Sequence, residues 1–473
     1  MNIPKLRKEL AVKSCHNISW EDDYSWVHQE NILEVLKDGS KLLPEVKKYL
    51  EEENEYTKKQ LSETKLMQKK LFDEIKARIK LDDESLPYKD KNYEYWTKVT
   101  KEGNYSKKLR RKIGDTKIET YWDGDIEAKS KKFFSTGDVA VSHNDEFLAY
   151  SIDDKGSEYF TIFIRRISDN KIIEEPITDT AGGITWAYDD KYFFYSKLDR
   201  FHRPRKIFRH KLGTGIKEDE LIFEETEDRF TCGIGTSSDK NFYFISTSEH
   251  TSSEYYYFNK DEVKPEPKLI LKRKAGIEYS LDSWGGYFWM HTNQDAKDFK
   301  ITRCKHDNFN KWSDYIPARD EVLIGGFILL NDWMIRSERI DALPKLFVRN
   351  LKTNTEEELI ISNEEIINPG MSMIQKDRNT STIRISYESP KTPTRIYEYN
   401  VATKEKKLVK ELEIPSGYNS DEYIVKRVNC EADDGRKIPI TITYHKNTKL
   451  DGSANLLLYG YGSYGHTISP SFS

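Results

Sequence analysis

The chain has 473 residues, more than one ordinary domain of about 100–200 residues. It carries 76 Lys and Arg against 80 Asp and Glu, a formal net charge of −4 with both signs interspersed. This balance argues against a nucleic-acid partner, whose binding depends on a strong positive field. The 29 Tyr, 21 Phe and 9 Trp supply enough apolar surface for a folded core, which argues against a disordered chain.

The chain lacks the features of an exported or membrane protein. No apolar segment of a secretory signal follows the first residues, and the longest apolar run, near residues 323–330, is too short to cross a bilayer. The four cysteines (Cys15, Cys232, Cys304 and Cys430) are far apart, so neither a zinc site nor a redox pair is predicted. We expect a cytoplasmic protein with no membrane partner and no cofactor.

Residues 1–80 are predicted to form an N-terminal helical extension. Pro44 suits the first turn of a helix. Apolar side chains then recur at helical spacings among dense Lys and Glu, at Val46, Leu50, Leu61, Leu71, Ile75 and Ile79. Such a helix is solvated on most of its surface, and its apolar stripe needs another surface to pack on.

Residues 81–412 repeat a polar turn followed by a short apolar strand. The turns contain Asp90, Asp145, Asp190, Asp239, Gly286, Asp332 and Arg378, at separations of 55, 45, 49, 47, 46 and 46 residues. Four-stranded propeller blades recur at about 40–50 residues. Seven turns at near-equal separations therefore predict a mainly β fold with a seven-bladed β-propeller. The alternative is a run of unrelated hairpins in a sandwich.

Residues 413–473 are predicted to begin a second domain. Two strands are expected around the turn at 433–435, and the apolar run 455–459 is predicted to be a buried strand. Gly460, Gly462 and Gly465 fit G-x-G-x-x-G, but the acid that a dinucleotide site needs about 20 residues later is missing. We instead predict a loop that brings backbone and a tyrosine hydroxyl close to a ligand.

Two further patterns are given ordinary interpretations. The chain contains no G-x-S-x-G sequence, and Ser463 with His466 on one loop is predicted to be solvated, because catalytic partners need a third orienting group. The segment 151–156 resembles an Asp-containing turn of sugar-cleaving propellers. The hydrogen bonding of an Asx turn explains it without a function.

Several motifs follow the order seen in one peptidase family. They are Asp23-Tyr24-Ser25-Trp26, Gly156-Ser157-Glu158-Tyr159, the run from Phe208 to Thr214, Ile316-Pro317-Ala318-Arg319 and the run from Leu457 to Gly465. Over roughly residues 20–473 the chain resembles the prolyl oligopeptidase family of serine peptidases, most closely its oligopeptidase B group. The resemblance implies a seven-bladed propeller that caps an α/β-hydrolase domain and limits access to short peptides, with cleavage after Lys or Arg.

The resemblance also implies a division of the chain and one catalytic residue. Residues 1–80 would pack on the hydrolase domain, 81–412 would form the propeller, and 413–473 would be the incomplete start of the hydrolase domain. The hydroxyl of Tyr461 would donate to the oxyanion of the transition state. The catalytic Ser, Asp and His would lie beyond residue 473, and Ser469 and Ser471 replace acids that favour a basic P2 residue in some relatives.

Three functional hypotheses remain open at this point. The chain is the gating part of an endopeptidase whose complete form takes short basic peptides as substrates, and it is inactive alone. Alternatively, it is half of a split enzyme, completed by a second hydrolase chain that docks on the helical stripe and on residues 456–459. The third hypothesis is a stand-alone propeller that acts as an interaction module.

Overall fold

The computed structural model describes residues 2–309 and 311–473. The helices are α1 (Ile32–Lys37), α2 (Pro44–Gln60), α3 (Lys65–Ala77) and α4 (Gly124–Ala128). The strands up to residue 224 are β1 (Ala11–Cys15), β2 (Ile18–Asp22), β3 (Asp83–Glu84), β4 (Tyr88–Asp90), β5 (Tyr93–Val99), β6 (Lys107–Lys112), β7 (Ile118–Asp123), β8 (Ser135–Val141), β9 (Phe147–Asp153), β10 (Phe160–Arg166), β11 (Lys171–Ile172), β12 (Ile177–Trp186), β13 (Tyr192–Leu198), β14 (Pro204–Lys211) and β15 (Glu220–Glu224).

Beyond residue 224, the described residues form further strands and no further α-helix. They are β16 (Thr231–Thr236), β17 (Phe242–Ser248), β18 (Ser253–Asn259), β19 (Lys268–Leu271), β20 (Tyr279–Trp284), β21 (Tyr287–Thr292), β22 (Lys300–Lys305), β23 (Ser313–Ile316), β24 (Val322–Leu329), β25 (Trp333–Ile340), β26 (Leu343–Asn350), β27 (Glu356–Glu358), β28 (Asn368–Met373), β29 (Thr382–Ser389), β30 (Thr392–Asn400), β31 (Lys406–Glu411), β32 (Tyr423–Glu431) and β33 (Lys437–His445). The chain divides into two compact units, Met1–Arg78 with Ala128–Thr226, and Ile79–Glu127 with Glu227–Ser473.

The N-terminal helices belong to the first unit and leave their apolar stripe exposed. Pro44 occupies the first turn of α2, as predicted, because its fixed φ suits that position. Of the six stripe residues Val46 is buried, whereas Leu50, Leu71 and Ile75 are 48%, 48% and 56% exposed. The helices α2 and α3 therefore present an apolar face that their own unit does not cover.

The first unit also contains one eight-stranded antiparallel sheet. Its strand order is β15-β14-β13-β12-β10-β9-β8, with β11 paired to β10. The helix α1 is fixed to this sheet through Lys37, whose ammonium lies 2.6 Å from Asp179 and 4.0 Å from the centre of the Tyr159 ring. Ile162 and Phe193 are fully buried in the core of the sheet.

The second unit is built from smaller sheets with the arrangement of propeller blades. Four of these sheets have four strands each in chain order (β16–β19, β20–β23, β24–β27 and β28–β31), and β3–β7 form a five-stranded sheet. Their cores lie between neighbouring sheets, as where Ile335 and Leu346 join a cluster with Ile383 and Ile385. The prediction of a mainly β fold with a β-propeller is confirmed.

The predicted number of seven separate blades is wrong. The described residues form five sheets of blade size, and the two periods around Asp145 and Asp190 lie in the single eight-stranded sheet. The strands β10 and β12 pair at Phe160 with Thr180 and at Ile162 with Ile177, which joins the two groups of strands. The spacing of the turns indicates how many hairpins the chain forms. It gives no information on hydrogen bonds between neighbouring groups of strands.

The predicted turns connect the first two strands of successive repeats and contact the repeat that follows. Asp145 and Asp190 adopt φ of 63° and 56°, the left-handed region that Asp tolerates better than most residues. In the first unit the His143 amide donates to Asp190 Oδ1, and in the second the Ser238 amide donates to Asp282 Oδ1 at 2.9 Å. The repeated turns therefore link one group of strands to the next.

The first sheet of the second unit, β3–β7, contacts the sheet β28–β31 through ion pairs and through backbone hydrogen bonds near residue 89. Lys410 Nζ lies 2.8 Å from Asp83 Oδ2, and Lys376 Nζ lies 3.0 Å from Asp90 Oδ2. The two sheets are separate apart from one isolated bridge between residues 89 and 375. Polar contacts between residues far apart in sequence therefore join the two sheets at this boundary.

A buried histidine in the first unit is held between two carboxylates. His210 is 1% exposed, with Nδ1 2.7 Å from Asp219 and Nε2 2.8 Å from Glu174. The Tyr195 hydroxyl donates to the same Asp219 at 2.6 Å. Burial by itself lowers the pKa of His210, but the hydrogen bonds to Asp219 and Glu174 outweigh it and raise the pKa to about 9.

A buried arginine has a similar role in the sheet β24–β27. Arg336 is 1% exposed, and its guanidinium lies 2.7 Å from Glu338 and 2.9 Å from Glu356. The Glu338 side chain is fully buried and also contacts Arg319. The Arg336 guanidinium thus lies between two carboxylates in a region with little access to water.

The C-terminal residues confirm one prediction and contradict another. Strands β32 and β33 pair around a turn in which Gly435 adopts φ of 79°, as predicted. The predicted strand at 455–459 is wrong, because these residues have no regular structure and Leu457 is 88% exposed. A strand needs a hydrogen-bonding neighbour, and among the described residues none pairs with this run.

Candidate active-site loop

The predicted site residue Tyr461 lies in the glycine-rich loop 460–465. Tyr461 is 50% exposed, so about half of the residue is open to solvent. A single 3₁₀ turn spans Ser463–Gly465, in which Tyr464 and Gly465 adopt φ of 56° and 71°. The left-handed conformation is unfavourable for a tyrosine, which indicates that the surrounding contacts hold the loop in this shape.

Aromatic contacts hold the loop from two sides. The Tyr464 ring stacks on His250, in the connection between β17 and β18, at a centroid distance of 5.8 Å. The Tyr461 ring meets His466 edge-on at 5.8 Å. A residue from the sheet β16–β19 therefore helps to position the loop that carries the candidate oxyanion donor.

The residues after the loop are anchored on the sheet β24–β27. Arg339 donates to Ser469 Oγ at 3.2 Å and to the Ala342 carbonyl at 3.0 Å. The Phe472 ring packs edge-on against Tyr418 at 5.2 Å. These contacts fix the C-terminal end of the loop, although 455–459 before it is exposed.

The arrangement supplies a hydrogen-bond donor but no nucleophile. The contact found between Ser463 and His466 is a backbone hydrogen bond of 3.1 Å, and no side-chain hydrogen bond joins them in the described ranges. This agrees with the prediction that the pair is not catalytic. Tyr461 can stabilise negative charge on an oxygen placed near its hydroxyl, which is the chemistry of an oxyanion hole.

Sequence reasoning identified Tyr461 but missed the side chains that position its loop. His250 and Arg339 lie more than one hundred residues before the loop, and neither belongs to a motif. Ser469, noted as a replacement for an acid, is here the acceptor of the Arg339 hydrogen bond. The charge of Arg339 was only a weak signal of a role in the loop, because nothing in the sequence indicates that Ser469 is its partner.

We expect proteases to cleave the run 455–459 before they cleave the sheets. Leu456, Leu457 and Leu458 are 84%, 88% and 81% exposed in a segment with no regular structure, so the backbone can enter a protease without local unfolding. Brief chymotrypsin digestion followed by mass spectrometry should report cuts at 456–461 first. Initial cuts inside β16–β31, with 455–459 intact, would contradict this expectation.

No metal or membrane feature accompanies the loop. Within residues 2–309 and 311–473, no group of three or more His, Cys, Asp and Glu side chains is placed to hold a metal ion. No helix in the same part of the chain has the length and apolar character that crossing a membrane requires.

Comparison with known families identifies the architecture. Residues 4–412 match the family described as prolyl oligopeptidase, N-terminal β-propeller domain. The chain belongs to this family. Its members of known activity are serine peptidases, which agrees with the resemblance drawn from the motifs. The match includes the N-terminal helices and ends at the last residue of the predicted propeller.

Individual relatives agree with the assignment to the prolyl oligopeptidase family. The chain is 31% identical to dipeptidyl aminopeptidase BI from Pseudoxanthomonas mexicana, covering 99% of this chain and 66% of the relative. It is 24% identical to protease 2 from Moraxella lacunata, covering 100% and 67%. The chain therefore spans about two thirds of the length of these relatives.

A solved structure shows the same fold over the whole chain. Oligopeptidase B from Trypanosoma brucei, in its closed form with covalently bound antipain, matches with a TM-score of 0.91 and 26% identity. The match covers 100% of this chain and 69% of that structure. The likeness includes the C-terminal region that holds Tyr461.

Proposed function

We propose that the chain is the substrate-gating propeller portion of an oligopeptidase B-like serine endopeptidase, together with the first part of its hydrolase domain. The observation that carries the proposal is the TM-score of 0.91 with oligopeptidase B across the whole chain. The complete enzyme would take short peptides and cleave them after Lys or Arg. The free cysteines suit a cytoplasmic location, which belongs to the same proposal.

A dipeptidyl aminopeptidase is the second candidate activity, and one observation favours it. The relative that is 31% identical over 99% of this chain carries that name. An endopeptidase of the oligopeptidase B type cleaves a peptide with a blocked N-terminus, whereas a dipeptidyl aminopeptidase needs a free amine two residues before the cleaved bond. Paired blocked and unblocked arginine substrates therefore separate the two activities.

The 473 residues alone are expected to show no peptidase activity. They contain no G-x-S-x-G sequence, and Tyr461 without a nucleophile stabilises no intermediate that forms at a useful rate. The purified chain should leave a fluorogenic arginine peptide uncleaved. Turnover that a serine-directed inhibitor abolishes would contradict this part of the proposal.

A complementing hydrolase chain is the proposed partner in a split arrangement. The exposed faces of α2 and α3 and the exposed run 456–458 offer it apolar surface. Co-expression with the hydrolase portion of a relative should restore cleavage of the arginine peptide. In that assembly Tyr461→Phe should lower kcat by about 10²–10³-fold, because an oxyanion donor is lost.

Tyr464→Phe is the matched control for the Tyr461 variant. Tyr464 lies on the same loop and stacks through its ring, which phenylalanine retains. We expect this variant to keep kcat within about threefold of the starting value. Equal losses in both variants would show that the loop acts through its packing and that Tyr461 does not donate to the oxyanion.

A further inference from the structure

One boundary between two sheets of the second unit is rich in arginine. The sheets β20–β23 and β24–β27 pack together around an apolar cluster in which Trp289 and Ile324 are buried. The outer strands β23 and β27 add Tyr315 and Glu356 to this boundary. Charged and aromatic side chains therefore meet there, beside the apolar core.

Arg303, on β22, is surrounded by aromatic rings at this boundary. Its guanidinium carbon lies 4.3 Å from the ring centre of Tyr315, 4.5 Å from that of Tyr287 and 5.2 Å from that of Trp289. The strand register brings these side chains together, because Arg303 lies opposite Trp289 on β21 and opposite Ser313 on β23. The rings thus hold the guanidinium in place before any ligand binds.

Aromatic rings do not satisfy the hydrogen-bonding capacity of Arg303. Cation–π attraction acts on the face of a guanidinium, whereas its N–H groups lie in its plane and need acceptors. Within residues 2–309 and 311–473 no ion pair or hydrogen bond involves this guanidinium. The acid of β23, Asp314, lies on the opposite face of the sheet and pairs with Lys300 at 3.1 Å. Arg303 therefore carries a charge that no described carboxylate offsets.

A second guanidinium lies against the same tyrosine ring. Arg349, on β26, is 4.8 Å from the ring centre of Tyr315. The Tyr315 hydroxyl donates to Asn354 Oδ1 at 3.2 Å, which ties the ring to the turn between β26 and β27. The buried Nε of Arg349 has no hydrogen-bond partner in the described part of the chain. Two arginines from neighbouring sheets therefore meet at one ring, and both have donors to offer.

The carboxylates at this boundary are already shared. Four arginines and two glutamates form the group: Arg303, Arg319, Arg336, Arg349, Glu338 and Glu356. Glu356 lies 2.9 Å from Arg336 and 3.3 Å from Arg349. Glu338 pairs with Arg336 at 2.7 Å and also contacts Arg319. The group therefore has more cations than anions, in partly buried surroundings where an unpaired charge is costly.

We propose that Arg303 and Arg349 bind a divalent oxyanion, either free phosphate or the phosphate group of a small ester, at the edge of the Tyr315 ring. Planar guanidinium groups bind phosphate oxygens through parallel N–H donors. A phosphate group that carries nearly two negative charges offsets the excess of cations. Lys305, exposed on the same face of β22, adds to the positive field that attracts the anion.

The bound anion joins the sheets β20–β23 and β24–β27, because each of the two arginines belongs to one of them. This role is additional to the proposed peptidase function and does not depend on it. The site belongs entirely to the second unit.

Isothermal titration calorimetry of the full chain with inorganic phosphate, at an ionic strength held constant with sodium chloride, tests the proposal. We expect saturable binding that Arg303→Met weakens by about tenfold, because a charge-assisted pair is lost. Arg303→Lys keeps the charge without the planar fork and should weaken binding by about threefold. Lys300→Met removes one positive charge from the opposite face of β22 and should leave the affinity unchanged.

Competition in the unaltered chain tests the site without relying on the folding of a variant. Sulfate, which is also a tetrahedral divalent oxyanion, should displace phosphate, whereas acetate at the same ionic strength should not. Absence of saturable phosphate binding, equal displacement by acetate, or unchanged affinity in Arg303→Met would overturn the proposal.

Glycerol 3-phosphate distinguishes the two sources of the anion. Binding tighter than that of inorganic phosphate assigns the site to a phosphate ester, and weaker binding assigns it to free phosphate. Either result supports the site if Arg303→Met reduces it. A preference for glycerol 3-phosphate that Arg303→Met leaves intact would place the binding elsewhere and contradict the proposal.

Discussion

Replacing Arg336 with methionine is expected to lower the free energy of unfolding by about 3–5 kcal/mol. The guanidinium is 1% exposed and pairs with Glu338, whose side chain is fully buried, and with Glu356. Methionine fills most of the volume but leaves the two acids without this cation in a region that water scarcely reaches. Urea denaturation followed by tryptophan fluorescence measures the loss.

An exposed ion pair between β27 and the connection from β30 to β31 is the control. Glu357 neighbours Glu356 on β27 and lies 2.6 Å from Lys404, with side chains 46% and 61% exposed. Lys404→Met should change stability by less than about 1 kcal/mol, since water screens such a pair. Adding Glu338→Gln to Arg336→Met should recover part of the loss by removing one buried charge. Similar losses in Arg336→Met and Lys404→Met would refute the argument from burial.

The second large effect is a loss of stability between pH 6.5 and pH 9. The pKa of His210 rises from 6.5 to about 9 in the folded chain. A raised folded pKa stabilises the fold fully below pH 6.5, and this contribution disappears as the pH rises through 9. The total is about 3 kcal/mol from this one group. Urea midpoints measured at pH 6 and pH 9 report it.

His210→Gln should remove most of that pH dependence and should also destabilise the chain at pH 6. Glutamine has no charge to offset the nearby Asp219 and Glu174 carboxylates. His445, whose side chain is 40% exposed and lies 3.8 Å from Glu422, is the matched control. His445→Gln should leave the pH profile unchanged. A His210→Gln variant that retains the full slope would show that other groups cause it.

The repeat in the sequence predicts the sheets because both depend on short-range physics. Polar turns at Asp145, Asp190 and Gly286 need left-handed backbone, and the apolar strands beside them need burial. The hairpin β32–β33 and the start of α2 at Pro44 follow from the same local rules. Local preference therefore suffices for the type of element and for its place along the chain.

Pairing between strands of different repeats lies outside those rules. No sequence feature near Phe160 or Thr180 indicates that their strands join two repeats into one sheet. The run 455–459 has the composition of a strand, but composition cannot supply a hydrogen-bonding neighbour. The number of separate sheets and the state of 455–459 were therefore predicted incorrectly, for the same reason.

The candidate site shows the same limit. A motif pointed to Tyr461, whereas the roles of His250 and Arg339 could not be predicted, because their partners are remote in sequence. A sequence motif thus identifies candidate residues, and tertiary structure decides which of them can meet a ligand.

The contact between β3–β7 and β28–β31 has a consequence for how the chain is made. Its ion pairs join residues that are 327 and 286 positions apart, Asp83 with Lys410 and Asp90 with Lys376. During translation that flank of the first sheet stays uncovered while nearly three hundred further residues are added. Contacts between residues so far apart in sequence also form slowly, because the chain loses conformational entropy before the contacts stabilise it. The first sheet of the second unit therefore leaves this flank open to other chains until β28–β31 have been made.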